Sequence, residues 1–310
     1  MIISVKNLVK RYGNLVALDH LSFDVEEGEI LGLLGPNGSG KTTAINCILS
    51  LLKYDKGEIR IFGRPMRPDA YDIKRDIGVI MQNVAVFDEL TVYENINYFC
   101  GLYIPEKEKR KRLVEEAIDF VGLNDFRKFY PKKLSGGLLR RLNIACGIAH
   151  KPKLILLDEP TVAVDPQSRN NILEGIQRLN REGATIVYTS HYMEEVEQIC
   201  SRIIILDKGK VIANGTKEEL KNMISLGEKI TVETSAIRPE HLAALRRIPG
   251  ADSVEYANGL LVVKSGKSKN NLENVLDFLK KQQIGYGRIY SELPTLNDVF
   301  LEITGKELRD

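Results

Sequence analysis

The sequence predicts an α/β fold with a mixed sheet, antiparallel strands at the N-terminus and an all-helical insertion, followed by a small α+β domain. Three patterns indicate this architecture. Segments near the N-terminus alternate apolar and polar residues, which is typical of half-buried antiparallel strands. Later segments such as residues 154–157 and 203–206 are apolar throughout, as buried parallel strands are. Between them, residues 90 to about 150 follow a helical periodicity.

The N-terminal alternation covers residues 3–6 and 21–25, so these segments are predicted to be half-buried strands. Between them lies the turn at residues 11–14, which contains Tyr12. An aromatic ring in such a turn can provide a face on which adenine stacks. It can equally be an ordinary loop tyrosine, and the turn by itself does not decide between the two.

A glycine-rich segment follows the apolar residues 30–34 and leads into a helix start, matching the phosphate-binding pattern G-x-x-x-x-G-K-[ST] in its strand, loop and helix context. Its residues are Gly35, Pro36, Asn37, Gly38, Ser39, Gly40, Lys41, Thr42 and Thr43. Glycines at the turns let backbone N–H groups approach a polyanion closely, and the following helix directs its positive end at it. We therefore predict that Lys41 contacts the β- and γ-phosphates of a nucleotide and that Thr42 offers its hydroxyl to Mg²⁺.

Two further strands are predicted at residues 56–63 and 77–81, and the second ends at Gln82. A neutral amide at a strand end beside a phosphate loop can contact both Mg²⁺ and an attacking water. Taken alone, Gln82 is better explained as a solvated loop side chain.

In the helical insertion, Ser135, Gly136 and Gly137 precede an apolar-periodic helix. The serine can cap this helix, and the glycines leave its first N–H groups open to an anion. A plain helix cap is the simpler interpretation of these three residues. The charged residues 106–112 are predicted to form the solvated face of an earlier helix, with Leu113, Ala117 and Val121 on its buried face.

Two adjacent acids, Asp158 and Glu159, close the apolar run of residues 154–157. A buried parallel strand delivers such carboxylates to the sheet edge where ligands bind. Asp158 is predicted to hold Mg²⁺ directly or through water, and Glu159 to polarise the attacking water as general base. His191 follows the next buried strand, at residues 184–190, and from that strand end it can reach the γ-phosphate.

Composition limits the classes of protein. The 310 residues are 43% hydrophobic and 28% charged, as in a packed soluble protein of one large domain or two. A formal net charge of +2 provides no long-range field for holding nucleic acid, so no nucleic-acid partner is expected. No segment approaches 18 uninterrupted apolar residues and no export signal is evident, so the chain is expected in the cytosol. The four cysteines, which form no C-x-x-C pair, are predicted to be buried small hydrophobes.

Six features stand in one order along the chain: the phosphate loop, Gln82, residues 134–137, Asp158 with Glu159, Asp165, and His191. Together they resemble the ATP-binding subunits of ABC transporters over about residues 1–220. The Leu-Ser-Gly-Gly sequence at residues 134–137 separates this family from other phosphate-loop proteins such as GTPases and small-molecule kinases. The resemblance implies a phosphate-loop ATPase core with its helical subdomain at about residues 90–150.

The resemblance also implies a head-to-tail dimer with a second copy or a paralogous ATPase. ATP bound by Gly35 to Thr43 of one copy would be covered by Ser135, Gly136 and Gly137 of the other, and Asp165 would pass information between the two sites. Two positions depart from the family pattern. Leu138 stands where Gln is usual, which removes a polar contact to the opposite nucleotide, and Ala163 stands where glycine is common. Neither departure removes a catalytic group, so a competent ATPase is expected.

The branch of the family is indicated by two segments. Residues 86–95 look like those of ATPases that serve drug, antibiotic and ion exporters, in which the region after the glutamine receives the coupling helix of the membrane partner. The C-terminal domain, residues 229–310, is predicted to have the ferredoxin-like order βαββαβ with a final helix from Thr295. Its residues 293–302 are similar to the ends of exporter ATPases; without that similarity it would be an accessory domain for regulation or dimer contacts.

Two functions are consistent with these features. The first is an ATPase that drives a separate integral membrane permease for export of a drug, antibiotic, peptide or ion, and that lies peripherally at the cytoplasmic face of the membrane. The second is a soluble ABC ATPase that acts on nucleic acid or the ribosome. A single cassette, no heptad array and little basic excess favour the first.

Overall fold

The computed structural model describes residues 1–235, 237–267 and 271–305. The chain forms two compact units, residues 1–216 and a second unit that begins at Lys217. Each unit has its own hydrophobic core, and the core of the first is the larger.

The first unit contains ten strands and seven helices within its described residues. The strands are β1 (Ile3–Tyr12), β2 (Leu15–Val25), β3 (Ile30–Leu34), β4 (Lys56–Ile61), β5 (Arg64–Pro65), β6 (Ile77–Ile80), β7 (Leu154–Asp158), β8 (Thr185–Ser190), β9 (Arg202–Asp207) and β10 (Lys210–Gly215). The helices are α1 (Lys41–Ile48), α2 (Tyr71–Lys74), α3 (Val92–Gly101), α4 (Lys107–Phe120), α5 (Gly136–Ile148), α6 (Pro166–Arg181) and α7 (Met193–Ile199), with 3₁₀ turns at Asn124–Phe126 and Pro131–Lys133.

These strands form two sheets, which confirms the predicted α/β class. The first is antiparallel, in the order β2-β1-β4-β5. The second has the order β10-β9-β3-β8-β7-β6, in which the five strands from β9 to β6 run parallel and β10 pairs antiparallel with β9. The N-terminal strands therefore do not extend the parallel sheet but form a separate sheet with β4.

Burial explains why the two sheets have different sequences. Every residue of β3, β7 and β8 is buried, because both faces of the parallel sheet are covered. In β2, by contrast, buried and exposed residues alternate over its second half, as in a sheet with one solvated face. Helix α1 contributes Ala44, Ile45 and Ile48 to a core that draws residues from both sheets.

The helical insertion between β6 and β7 is confirmed. Helix α3 begins with a capping box in which Thr91 and Glu94 satisfy each other's backbone N–H groups. Helix α4 carries the charged residues on its exposed face, and Leu113, Ala117 and Val121 are buried, as the periodicity predicts.

All four cysteines, Cys47, Cys100, Cys146 and Cys200, are buried free thiols. Burial raises the pKa of each thiol, in the case of Cys47 to about 11. They therefore remain protonated and pack as small apolar side chains.

The second unit begins with α8 (Lys217–Asn222) and continues with β11 (Leu226–Glu233), α9 (Pro239–Leu245), β12 (Ala251–Ala257), β13 (Leu260–Gly266), α10 (Asn271–Lys281), β14 (Ile289–Glu292) and α11 (Leu296–Thr304). From β11 to β14 this is the order βαββαβ, and the antiparallel sheet has the order β12-β13-β11-β14. Thr295 caps α11 through a capping box with Asp298. Of the predicted domain at 229–310, residues 236, 268–270 and 306–310 lie outside the described residues.

Candidate nucleotide-binding and catalytic site

The strand order brings four separate motifs to one edge of the parallel sheet. Strands β3, β8, β7 and β6 are consecutive neighbours in the sheet and run in the same direction. The glycine loop follows β3, His191 follows β8, Glu159 follows β7 and Gln82 comes shortly after β6. Ligands of open parallel sheets bind at this carboxyl edge.

The glycine loop is closely packed at two of its glycines. A Cβ atom at Gly35 would lie 2.3 Å from the carbonyl oxygen of Leu206, and one at Gly40 would lie 2.8 Å from that of Ala17. Gly40 also has φ 109° and is the N-cap of α1. Only glycine satisfies both the backbone conformation and the space at position 40, which places the first N–H groups of α1 at the site.

The Lys41 ammonium is buried and held from three sides. Nζ donates to the carbonyl oxygens of Gly35 at 2.8 Å and Pro36 at 3.2 Å, and lies 3.2 Å from Oε1 of Glu159. The side chains of Lys41 and Glu159 are only 4% and 6% exposed. This ion pair therefore joins the glycine loop directly to the acid that follows β7.

The two acids are fixed by Thr189, a residue of β8 that pairs with Asp158 across the parallel ladder. Thr189 Oγ1 donates to Oδ1 of Asp158 at 2.6 Å and accepts the backbone N–H of Glu159 at 3.0 Å. Glu159 has φ 46°, a left-handed conformation that is uncommon for a residue with a side chain. The hydrogen bonds of Thr189 help to hold this backbone and fix one oxygen of the Asp158 carboxylate.

His191 contacts the second acid. Its Nδ1 lies 3.1 Å from Oε2 of Glu159, and 10% of its side chain is exposed. Glu159 thus lies between Lys41, which contacts one carboxylate oxygen, and His191, which contacts the other. The three predicted residues are brought together as a single cluster.

The residues of this site fit a Mg²⁺ ion. Asp158 is completely buried, and its Oδ2 has no hydrogen-bond partner among the described residues, which is costly for a carboxylate oxygen unless a cation satisfies it. Thr42 and Gln82 line the adjacent cavity. Hydroxyl, amide and carboxylate oxygens are the hard ligands that Mg²⁺ prefers.

The cavity itself has a volume of about 430 Å³ and is lined by polar residues of the predicted site together with the turn between β1 and β2. The predicted residues that line it are Tyr12, Asn37, Gly38, Gly40, Lys41, Thr42, Thr43, Gln82 and Glu159. Tyr12 is 48% exposed, and Lys10 Nζ lies 4.9 Å from the centre of its ring. An exposed aromatic ring in the lining of a cavity of this size suits a nucleotide base.

Ser135, Gly136 and Gly137 do not line this cavity. Ser135 Oγ accepts the N–H of Leu138 at 3.3 Å and caps α5. A Cβ atom at Gly137 would lie 2.6 Å from Oγ of Ser168, whereas one at Gly136 would have only the carbonyl oxygen of Ala163 nearby, at 3.9 Å. Gly137 is therefore required by packing within the chain, whereas no contact with a described residue requires Gly136 to be glycine.

Asp165 also lies outside the cavity, at the start of α6. Its Oδ1 accepts the N–H of Ser168 at 2.9 Å, and this bond lowers the pKa of the carboxyl group. The N-termini of α5 and α6 thus meet at the Gly137 and Ser168 contact. Ala163, in the loop before Asp165, has φ 59°, a conformation that glycine adopts without strain.

Two family models match this chain. Residues 18–162 match the family model described as ABC transporter, and residues 215–304 match the model described as ATP-binding protein DrrA1-3-like, C-terminal domain. The linearmycin resistance ATP-binding protein LnrL of Bacillus subtilis is 37% identical over 99% of this chain and all of its own length. This chain belongs to the ABC transporter ATP-binding proteins.

Other ABC proteins show the same relationship. The Nod factor export ATP-binding protein I of Ralstonia nicotianae is 35% identical over the whole chain and 95% of its own length. The daunorubicin resistance ATP-binding protein DrrA3 of Streptomyces coeruleorubidus is 33% identical over 99% of the chain and 98% of its own length. A solved dimeric ATP-binding cassette in a post-hydrolysis state, bound to ADP and Pi, superposes with a TM-score of 0.64 at 29% identity, covering 69% of this chain and 98% of that one.

These findings confirm the resemblance and the ATPase class. The chain is an ATP-binding subunit of the ABC transporter family, and the fold is that of an ABC cassette followed by a DrrA-like C-terminal domain. No helix in the described part of the chain is long and apolar enough to span a membrane.

Two residues of this ABC cassette were missed by the sequence analysis. Thr189 is identified only by the register between β7 and β8, which places it opposite Asp158. Lys208 lines the cavity from the turn between β9 and β10. That turn is fixed to the glycine loop because Gly209 N donates to the carbonyl oxygen of Ser39 at 2.9 Å. No motif marks Lys208, but strand order predicts that the turn after β9 lies beside the loop after β3.

Proposed function

We propose that this chain is the motor subunit of an exporter: it binds ATP and Mg²⁺, pairs head-to-tail with a second copy, and drives a separate membrane permease. The meeting of Lys41 and Glu159 at one cavity, with His191 in contact with Glu159 and Ser135 to Gly137 outside the cavity lining, carries this proposal. The residues proposed to cover the nucleotide therefore do not line the cavity of their own chain.

In this proposal the base of ATP stacks on Tyr12, and the triphosphate lies along the glycine loop. Backbone N–H groups from Gly38 to Thr43 and the N-terminus of α1 bind the phosphate oxygens. Lys41 contacts the β- and γ-phosphates. Lys208 adds a second cation to the same cavity.

Mg²⁺ would be held by Thr42, Gln82 and Asp158, and when bound it neutralises charge on the β- and γ-phosphate oxygens. The unpaired Oδ2 of Asp158 supports this assignment. Thr189 fixes the other oxygen of the same carboxylate, so the direction of Oδ2 is set before the ion binds.

For hydrolysis, Glu159 accepts a proton from the attacking water, and Gln82 orients that water. His191 contacts Glu159 at 3.1 Å and can reach the γ-phosphate from the end of β8. The dimer completes the site, because Ser135 and the N–H groups at Gly136 and Gly137 of the second copy bind the nucleotide from the opposite side. The dimeric cassette that is 29% identical to this chain supports such a pairing.

The surface for the permease lies on residues 82–101. Phe87 and Tyr98 are exposed there, and their rings meet edge to face at 5.0 Å. Buried Asn95 fixes the loop by bonding the backbone N–H and C=O of Phe87 and the carbonyl oxygen of Leu90. An exposed apolar patch on a rigid support is suited to receive a helix of a partner protein. Two relatives are named for linearmycin resistance and daunorubicin resistance and a third for Nod factor export, and these names support export of a drug or an antibiotic.

Two substitutions test the assignment of roles. Glu159→Gln should abolish ATP hydrolysis but retain ATP binding and accumulate the dimer, because only the general base is lost. Lys41→Ala should weaken ATP binding itself, because it removes the cation on the phosphates. Nucleotide affinity, phosphate release and size-exclusion chromatography with ATP measure these effects. Glu182→Gln, an exposed acid after α6, is the matched control and should leave all three unchanged.

Full turnover by the Glu159→Gln variant would contradict the role of Glu159. The transport function is tested separately, by purifying the chain from membranes that contain the permease encoded beside it. ATPase activity that is stimulated by RNA and indifferent to any membrane protein would overturn the exporter proposal.

A further inference from the structure

A buried carboxylate that the proposed mechanism does not use lies beside the catalytic cluster. Glu195 is on α7, four residues after His191, and is 2% exposed. Glutamate is seldom buried to this extent unless its charge is compensated, because the loss of hydration is costly. The side chains around Glu195 must therefore compensate its charge.

Four side chains compensate Glu195. Its Oε2 accepts hydrogen bonds from Thr161 Oγ1 at 2.8 Å, Tyr188 OH at 2.7 Å and Ser190 Oγ at 2.9 Å. Its Oε1 lies 3.3 Å from Nε of Arg169. Three hydroxyl donors and a guanidinium stabilise the ionised carboxylate in place of water. Burial, together with the neighbouring negative charge, raises the pKa of the Tyr188 hydroxyl well above its usual range.

Two of these partners, Thr161 and Ser190, lie where the chain leaves β7 and β8 at the catalytic edge of the sheet. Thr161 comes two residues after Glu159 and begins the loop that leads to Asp165 and α6. Ser190 directly precedes His191, and its Oγ accepts the N–H of Tyr192 at 2.9 Å. One carboxylate thus binds the backbone segment after the general base and the segment that carries the histidine.

Arg169 extends the same cluster to α6. Its guanidinium lies 4.7 Å from the centre of the Tyr192 ring as well as beside Glu195. Arg169 is on the first turn of α6, one residue after Ser168, which contacts Gly137 of α5. The cluster therefore connects His191, through Tyr192, with the helix end that packs against the Ser135 to Gly137 segment.

We propose that Glu195 is a positioning residue for ATP hydrolysis, which holds His191 and the loop at residues 161–165 in one fixed relative geometry. The inference rests on the proposed function. Glu195 acts through Ser190 and Thr161 and contacts none of the reacting groups. Its loss lets His191 and the Asp165 loop move independently, so the catalytic arrangement forms less often even when ATP is bound.

Glu195→Gln is the test, because it conserves size while removing the charge and replacing an acceptor with a donor. We expect kcat for ATP hydrolysis to fall between about tenfold and about a hundredfold, while the affinity for Mg-ATP changes less than about twofold. The affinity is retained because the glycine loop, Lys41 and Tyr12 do not contact Glu195. Glu194→Gln, one residue earlier on the exposed face of α7, is the matched control and should leave kcat unchanged.

A second variant applies if Glu195→Gln does not fold. Ser190→Ala deletes only the hydroxyl next to His191 and should lower kcat by about threefold or more, again without loss of affinity. The proposal is overturned if folded Glu195→Gln retains full kcat, or if affinity falls as much as kcat. A wild-type chain that binds and hydrolyses no ATP would refute the proposed function instead, so the two failures are distinguishable.

Discussion

Gly136 and Gly137 are adjacent in the sequence, but the structure gives them different reasons to be glycine. Gly137 is buried, and a Cβ there would clash with Ser168 at the start of α6. Gly136 is exposed, has no positive φ and has free space around it within the chain. Among the described residues no contact accounts for glycine here, and in the proposed dimer the close approach of the partner copy's nucleotide does so.

Alanine should therefore affect stability at one position and ATPase activity at the other. Gly137→Ala should lower the free energy of unfolding by about 1–3 kcal/mol through overpacking. Gly136→Ala should leave stability within about 0.5 kcal/mol of the wild type but reduce ATPase activity. Urea unfolding and phosphate release on the same preparations measure the two effects. A Gly136→Ala variant with normal ATPase activity would argue against nucleotide contact at this position.

At the residue scale, the sequence predicts those groups whose chemistry is contained in a local motif. Lys41, Asp158 and Glu159 are recognised because a strand, a loop and a charged group are contiguous. Thr189 and Glu195 are not recognised in this way. Thr189 acts on Asp158, and Glu195 acts in part on Thr161, and each of these partners is about 30 residues away in the chain. The left-handed backbone of Ala163 also has no local signal, since alanine rarely adopts it.

At the scale of the elements, His150 connects the end of α5 to the core. It follows α5, stacks on Tyr103 with ring centres 3.9 Å apart, and its Nε2 lies 3.2 Å from the carbonyl oxygen of Ile77 at the start of β6. Burial lowers the pKa of His150 to about 4, despite the raising effects of the Ile77 carbonyl and of Asp76. The imidazole is therefore neutral in the folded protein at physiological pH.

This pKa predicts a pH dependence of stability. In the unfolded chain His150 takes up a proton near pH 6.5, whereas in the folded protein it does so only near pH 4. The stabilising contribution is thus present above pH 6.5 and is lost as the pH falls towards 4. The wild type should lose about 2 kcal/mol through this group between pH 7.5 and pH 5. His150→Gln should lose less in urea unfolding, and identical pH dependences would contradict the assignment.

Most elements are predictable from periodicity, including the helical insertion and the βαββαβ order of the second unit. What is not predictable is which sheet a strand joins. Strand β4 follows α1 and precedes β6, yet it pairs with β1 in the antiparallel sheet while β6 is the edge of the parallel sheet. Strand pairing depends on partners that are distant in the sequence, and the sequence of a single strand does not identify them.

At the scale of the whole molecule, the cavity is incomplete without another chain in the proposed mechanism. The described residues bring Tyr12, Lys41, Gln82 and Glu159 to it, but Ser135 to Gly137 lie elsewhere. Hydrolysis should therefore require association. The specific ATPase activity should rise with protein concentration and then level off, because the active species is a dimer.

Measurement of phosphate release over a range of protein concentrations, with analytical ultracentrifugation in parallel, tests this dependence. In the Glu159→Gln variant the same ultracentrifugation with ATP should show dimer at concentrations where the wild type is monomeric. A constant specific activity from a chain shown to be monomeric would contradict the shared site.

The contact between Lys41 and Glu159 also links the binding of ATP to the activation of the general base. The ammonium that is to bind the γ-phosphate lies 3.2 Å from the carboxylate that is to activate water, and the two charges compensate each other. An incoming triphosphate must therefore compete with Glu159 for this cation, and the exchange releases the carboxylate as the phosphate takes its place. In the proposed mechanism, binding of ATP to Lys41 and release of the Glu159 carboxylate thus occur in one displacement step. Glu159 therefore becomes available as a base only when ATP binds.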